Sequence, residues 1–287
     1  MDCLKIVKAR LLDMLYCEKS VKMCVGDHIF AFNSQDLVDR MEKMRHDNSW
    51  HHGESILEHT AEVYEQIQKT QCESQHRLEL VWASLFHDIG KAYTYVLDPE
   101  RQVHTTHNHE IYSYAIFSGI MCDNSDDVNQ TLIEELILHH DDFFRLFNHR
   151  KESGSLKYLD NFMRNEIVAR QPYLDLLKEL ALADGHASPR KEESIAQINA
   201  VWIDMQKWTI AETSRIFAQY RQLGQTETNK ILCAKTIIEM IEGSKKARHA
   251  AMLYPDIKAI NRELGIAKEY DIIKQIKKIL EKEQINT

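Results

Sequence analysis

Four short stretches of this chain set His or Asp where the surrounding apolar pattern points the side chain inward. They are His59 in ILEHTAEV, the His87-Asp88 pair in LFHDIGK, His140 in LILHHDD and Asp184 in ELALADG. An ionised or strongly polar group on the buried stripe of a helix is costly unless it is paired or ligates a metal. Any fold open to this chain must give all four a partner, and convergence on a metal does so most economically.

The stripes follow from spacing. From Ser55 a predicted helix carries Ile56, His59, Val63 and Ile67 as an i, i+3, i+7, i+11 series, so His59 shares the inward face. LELVWASLFHDIG predicts a helix with Leu80, Ala83, Ser84 and His87 on one side, Asp88 in its last turn and Gly90 as its stop. In QTLIEELILHH, His140 is in register with Ile133, Leu136 and Ile137, whereas His139 lies over Glu135. The stripe therefore selects His140 as the inward one and leaves His139 to solvent or a supporting position. Leu177, Leu180, Ala181 and Asp184 form an i, i+3, i+4, i+7 series with a carboxylate where an aliphatic residue is expected. HEIYSYAIFSGI restores helical period, with His109, Tyr112, Ser113 and Ile116 on one face. His104 and His107 are the alternatives to His109.

The rest of the chain reads as support. Residues 1 to about 45 predict a helix over IVKARLLDMLY, a short strand at 28–32 and a second helix capped by Ser34. Strands at 93–96 and 103–106, about the turn Asp98-Pro99-Glu100-Arg101, predict a β-hairpin. Beyond Pro189, helices are expected at about 192–222, 228–243 and 266–284, as packing elements or, for the last, an oligomer interface. Only 9 Gly and 4 Pro, with no repetitive tract, favour a mostly helical build. The expected organisation is an extension at 1–45, a core at 46–190 carrying the polar stripes, and a helical region at 191–287 packed on that core.

The net charge of −8 is uneven: from Asn229 onward 12 Lys+Arg face 8 Asp+Glu, leaving −12 for residues 1–228. That balance disfavours a polyanion binder but leaves a basic helix face in the tail. The six cysteines, Cys3, Cys17, Cys24, Cys72, Cys122 and Cys233, contain no C-x-x-C pair. With no signal peptide and no run of about 20 apolar residues, the expectation is a cytoplasmic protein with free thiols, no disulfides and no membrane span. Cys17 and Cys24 are expected as small core residues rather than metal ligands.

The assembled candidates are His59, His87, Asp88, His109, His140 and Asp184: four imidazoles and two carboxylates. Such a donor set suits Mn, Fe, Co, Ni, Zn or Mg, and six ligands exceed the need of one tetrahedral site. Two metals bridged by Asp88 fit the count, with His59, His87 and Asp184 on one and His109 and His140 on the other. His28, His46, His76, His149, His186 and His249 have no supporting pattern.

GESILEHT, HDIGK, NHEIYSYA, LILHHD and LALADG together resemble the HD superfamily of metal-dependent phosphohydrolases, over roughly residues 50 to 190. The run GESILEHT, HDIGK, hairpin, HNHE and HHD is most similar to the HD domain attached to some bacterial tRNA nucleotidyltransferases, although no nucleotidyltransferase motif is present. The resemblance implies an all-α bundle of about five core helices around the metal site, with a small β-hairpin insertion and additional C-terminal helices. It also implies hydrolysis of a phosphomonoester or a cyclic or linear phosphodiester of a nucleotide or RNA end, by a hydroxide bridging two divalent metals. Lys91, three residues after Asp88, is placed to hold a non-bridging phosphate oxygen. Arg145 and Arg190 are further substrate-binding candidates, with Arg150 and Lys151 behind them, and His52 contacts substrate or acts as a cap. The alternatives are a mixed-valent di-iron oxygenase acting on a polyol or phosphonate, and a non-catalytic nucleotide-binding scaffold. Oligomeric state is not legible.

Overall fold

Ser55 starts the central helix α3 (Ile56–Lys69) with a capping box: its hydroxyl accepts from Glu58 N–H, and the Glu58 carboxylate accepts from Ser55 N–H. Two of the helix's free N–H groups are thereby satisfied, and the register that turns His59 inward is set at the first residue. In this computed structural model the described residues are 2–15, 21–25, 28–47, 50–51, 53–70, 76–100, 102–121, 128–163 and 173–222, without the side chains of 21–25, 28–32, 210 and 212–222.

Ahead of α3 come α1 (Cys3–Met14), an antiparallel hairpin of β1 (Val21–Val25) and β2 (His28–Phe32), and α2 (Ser34–Lys43). The strand expected at 28–32 thus has a partner that the sequence reading did not anticipate. The cap of α2 is Asn33 rather than Ser34, because the Asn33 side chain accepts from the N–H groups of Gln35 and Asp36.

After α3 follow α4 (Arg77–Phe86), the one-turn helix α5 (Lys91–Thr94), and a hairpin of β3 (Val96–Asp98) and β4 (Val103–Thr105). Next come α6 (His109–Met121), α7 (Gln130–His139) and α8 (Asp142–Ser153). A 3-10 turn at Leu156–Leu159, then α9 (Asp160–Met163), α10 (Tyr173–Ala187) and α11 (Lys191–Gln222), complete the described chain. The fold is therefore all-α with small β insertions. The predicted hairpin is shorter than expected, since Tyr93 and Thr94 belong to α5.

Two units divide the chain: Met1–Asn148 with Leu176–Asn199, and His149–Asp175 with Ala200–Thr287. In the first, α3 packs on α1, α2 and α4, and α7 packs on α4 and α6. Leu57, Val63, Leu80, Phe86, Ile116, Phe117, Ile133, Leu136, Leu177 and Leu180 are buried there. Phe86 and Phe117 meet edge to face with centroids 5.4 Å apart. In the second, the Asp204 carboxylate accepts from Arg150 Nε at 2.7 Å and Tyr158 Oη at 3.0 Å, and Trp208 Nε1 donates to Asp160 at 2.7 Å. The helices expected at 228–243 and 266–284 lie outside the described residues.

Gly90 departs from its expected role as the stop of α4, which ends at Phe86. Its φ of −65° is ordinary helical geometry. A Cβ there would lie 2.5 Å from Ser113 N and 2.8 Å from Tyr112 Cβ, and closer still to His109 O. Glycine is required because the α4–α5 corner presses against α6, and Gly90 N–H donates to Ser113 Oγ at 2.9 Å across that contact.

Candidate metal centre

Asp88 follows the C-terminal end of α4 and is buried, with one carboxylate oxygen turned to each of two imidazole groups. Its Oδ2 lies 3.3 Å from His87 Nε2 and 3.6 Å from His59 Nε2. Its Oδ1 lies 3.2 Å from His109 Nε2 and 3.6 Å from His140 Nε2. Asp184, from α10, closes the first group: His59 Nε2–H donates to Asp184 Oδ1 at 2.8 Å. The six sequence-predicted residues thus meet within one unit: five in the sets His59–His87–Asp88 and Asp88–His109–His140, each with donor atoms close enough to share an ion, and Asp184 through its bond to His59.

Backbone carbonyls orient the rings. His87 Nδ1–H donates to Ser84 O at 2.9 Å, His109 Nδ1–H to Thr106 O at 2.9 Å, and His140 Nδ1–H to Ile137 O at 2.7 Å. With Nδ1 donating to a carbonyl, each ring turns its Nε2 toward Asp88, the arrangement that supports metal-ligating histidines. His109 Nε2 and His140 Nε2 then face each other at 3.1 Å, where two lone pairs repel unless a proton or a cation lies between them. His87 Nε2 is buried and has no hydrogen-bond partner among the described residues. The partnerless His87 Nε2 on one side of Asp88 and the facing His109 and His140 nitrogens on the other fit a divalent cation at each side.

Charge runs the same way. Burial alone would raise the Asp88 carboxyl, but Lys91 and the surrounding imidazoles hold it well below the usual carboxylate range. Burial would lower His140, yet the Asp141 and Asp88 charges push it up to about 9. His59 is likewise raised, against its burial, by Asp184 and Asp88. The buried carboxylates thus make the centre favourable for positive charge.

Lys91 is buried, and its Nζ donates to Asp88 Oδ2 at 2.7 Å. Arg145 pairs with Glu110, the buried neighbour of His109, and stands 3.7 Å from Asp142. Arg190 lies over the Trp50 ring at 3.9 Å and pairs with Glu193. His52 lies outside the described residues. Of the alternatives to His109, His104 is elsewhere: it stacks on Tyr95 at 4.1 Å and bonds Asp47 through Nδ1 at 2.7 Å. His139 takes a supporting position, with Nδ1 donating to Asp142 at 2.7 Å.

The sequence reading missed several neighbours. Asp141 stands 3.6 Å from His140 Nε2 and 3.7 Å from His109 Nε2; it was visible in LILHHDD but falls off the inward stripe. Glu54 reaches to 3.8 Å from His59 Nδ1. His46, which had no supporting pattern, is buried and stacked on His51. None of these lies in a helical series, so periodicity could not find them.

Residues 56–184 match the family model of the HD domain. The match opens three residues before His59 and ends on Asp184, so it encloses all six converging residues. HD domains are generally metal-dependent phosphohydrolases, and the match supports placing this helical core in the HD superfamily. No curated protein matches the chain. No helix among the described residues is long and apolar enough to cross a membrane.

Proposed function

We propose that this protein is a metal-dependent phosphohydrolase that cleaves a phosphomonoester or phosphodiester of a nucleotide or RNA end. The observation that carries the reading is the division of Asp88: one oxygen faces His59 and His87, the other His109 and His140. In this reading His59, His87 and Asp184 would hold one divalent cation, His109 and His140 would hold the other, and Asp88 would serve both. Such a pair, when bound, supplies a water acidic enough to attack at neutral pH and positive charge for the phosphoryl oxygens.

The chain's own residues do the rest. The Nδ1–carbonyl bonds hold the rings in one tautomer, so no reorganisation is needed when ligand arrives. Lys91 keeps its ammonium beside Asp88 and raised in pKa, because Asp88 and Asp141 outweigh the effect of burial. Lys91 would hold a non-bridging phosphate oxygen of a substrate bound beside Asp88. Arg145 and Arg190, each about half-exposed, are the outer contacts for a second phosphate or substrate tail.

The test is phosphate release or ring opening across a panel of nucleoside monophosphates, linear dinucleotides and 2′,3′-cyclic nucleotides, with added Mn, Ni or Co. The cyclic substrates lead the panel because of the likeness to the HD domain of tRNA nucleotidyltransferases. Turnover lost in His87→Ala is the expected result. Metal-loaded protein that turns over none of them, but holds two irons and consumes oxygen with a polyol or phosphonate, overturns the reading in favour of an oxygenase.

A further inference from the structure

Asp141 stands in the corner between α7, which ends at His139, and α8, which begins at Asp142. Its backbone carbonyl starts α8 by accepting from Phe144 N–H at 3.0 Å and Arg145 N–H at 3.1 Å. Its carboxylate turns instead to the second pair of histidines, with Oδ1 3.6 Å from His140 Nε2 and Oδ2 3.7 Å from His109 Nε2. Both distances are too long for a hydrogen bond. Among the described residues neither oxygen receives one. A carboxylate that offers one oxygen to each of two imidazole nitrogens, and bonds neither, is placed to share a cation with them.

The rings it faces are disposed for the same purpose. His109 and His140 are inclined at 68°, and their Nε2 atoms approach to 3.1 Å, so the in-plane nitrogens converge on one region. Asp88 Oδ1 borders that region, 3.2 Å from His109 Nε2 and 3.6 Å from His140 Nε2. The donor count points the same way. His59, His87, Asp184 and Asp88 make a set of two nitrogens and two carboxylates, whereas His109, His140 and Asp88 stop one donor short of a four-coordinate ion. Asp141 completes a second set of the same composition. Its side chain is 32% exposed, against 9% for His109 and 2% for His140, so it joins that set from the solvent side.

We propose that Asp141 is a seventh ligand of the centre, the carboxylate that completes the site formed by His109, His140 and Asp88. The inference rests on the two-ion reading given above and adds to it a residue outside the helical stripes. A ligand acts on one ion. A mere counter-charge, such as Asp141 also offers to Lys91, acts on both alike. Because this donor alone in its set is open to water, the ion it serves is the one exchanged more readily.

Titration of the metal-stripped full-length protein with Co2+ against a chelating indicator separates these roles, and the visible absorption of bound Co2+ reports the donors at each site as it fills. Wild type is expected to bind two Co2+ per chain. Asp141→Asn keeps the shape and loses the charge, and is expected to retain one Co2+ at wild-type affinity while holding the other about 100-fold more weakly with an altered absorption. Asp184→Asn weakens the opposite site, so the double variant is expected to be weak at both. Asp141→Ala is measured alongside Asp141→Asn, folding is checked by circular dichroism, and either variant that folds decides. Two Co2+ at wild-type affinities, or an equal weakening of both, overturns the ligand role of Asp141 and leaves the two-ion reading standing. A wild-type chain that takes up a single Co2+ overturns the two-ion reading, and this assignment with it.

Discussion

His59 and Asp184, 125 positions apart, meet with Nε2 and Oδ1 at 2.8 Å and so tie α3 to α10 through the candidate centre. Asp184 is held far below the usual carboxylate range: burial opposes this, but the His59 bond and the nearby His59 and His87 charges prevail. Asp184→Asn retains a hydrogen-bonding oxygen and loses the charge. Metal affinity is expected to fall by about 100-fold with the helical content unchanged, a result that competition with a chelator measures.

Lys91 separates holding the metal from using it. Lys91→Met removes the ammonium 2.7 Å from Asp88 and preserves most of the side-chain bulk. Steady-state kinetics are expected to show kcat/KM lower by about 100-fold, while metal content stays at the wild-type level. Parallel loss of metal and activity would instead make Lys91 a structural counter-charge.

Gly90 sets the fit of the α4–α5 corner against α6. Gly90→Ala places a methyl 2.5 Å from Ser113 N, which is backbone and cannot rotate away. Thermal melting is expected to show a loss of about 2–4 kcal/mol. Metal binding should weaken as well, since the displaced strip of α6 begins at His109. A melting point equal to wild type would mean that the corner yields freely.

Acid stability of the second unit depends on Asp204. Burial would raise its carboxyl, but bonds from Arg150 and Tyr158 hold it below its ordinary value of 3.8. A pKa lowered on folding contributes stability above the unfolded value and loses it as pH falls through the folded one. Asp204→Asn is therefore expected to cost about 1 kcal/mol at neutral pH and progressively less below about pH 4. Denaturant midpoints at the two pH values measure the difference, and a gap that widens in acid contradicts the assignment.

Much of the core was legible because helical periodicity reports burial. His59 and His140 fall among aliphatic residues at spacings of three and four, His109 shares a face with Tyr112, Ser113 and Ile116, and the structure buries all three histidines. The choice between adjacent imidazoles was legible for the same reason: His140 is inward, while His139 sits beside Asp142. What escaped the reading lies where no period operates. Asn33 rather than Ser34 caps α2, Gly90 serves a close approach rather than a stop, and His46 stacks on His51 outside any helix.

By itself, the order of residues determined which faces turn inward, since a side chain's direction on a helix is set by the 3.6-residue repeat alone. It also determined that several polar groups had to share a buried partner. Only tertiary structure decided that Asp88 gives one oxygen to each pair of histidines, and that Lys91 rests on it. Those outcomes depend on how α3, α4, α6, α7 and α10 are packed, and packing is set by long-range contacts that no local spacing encodes.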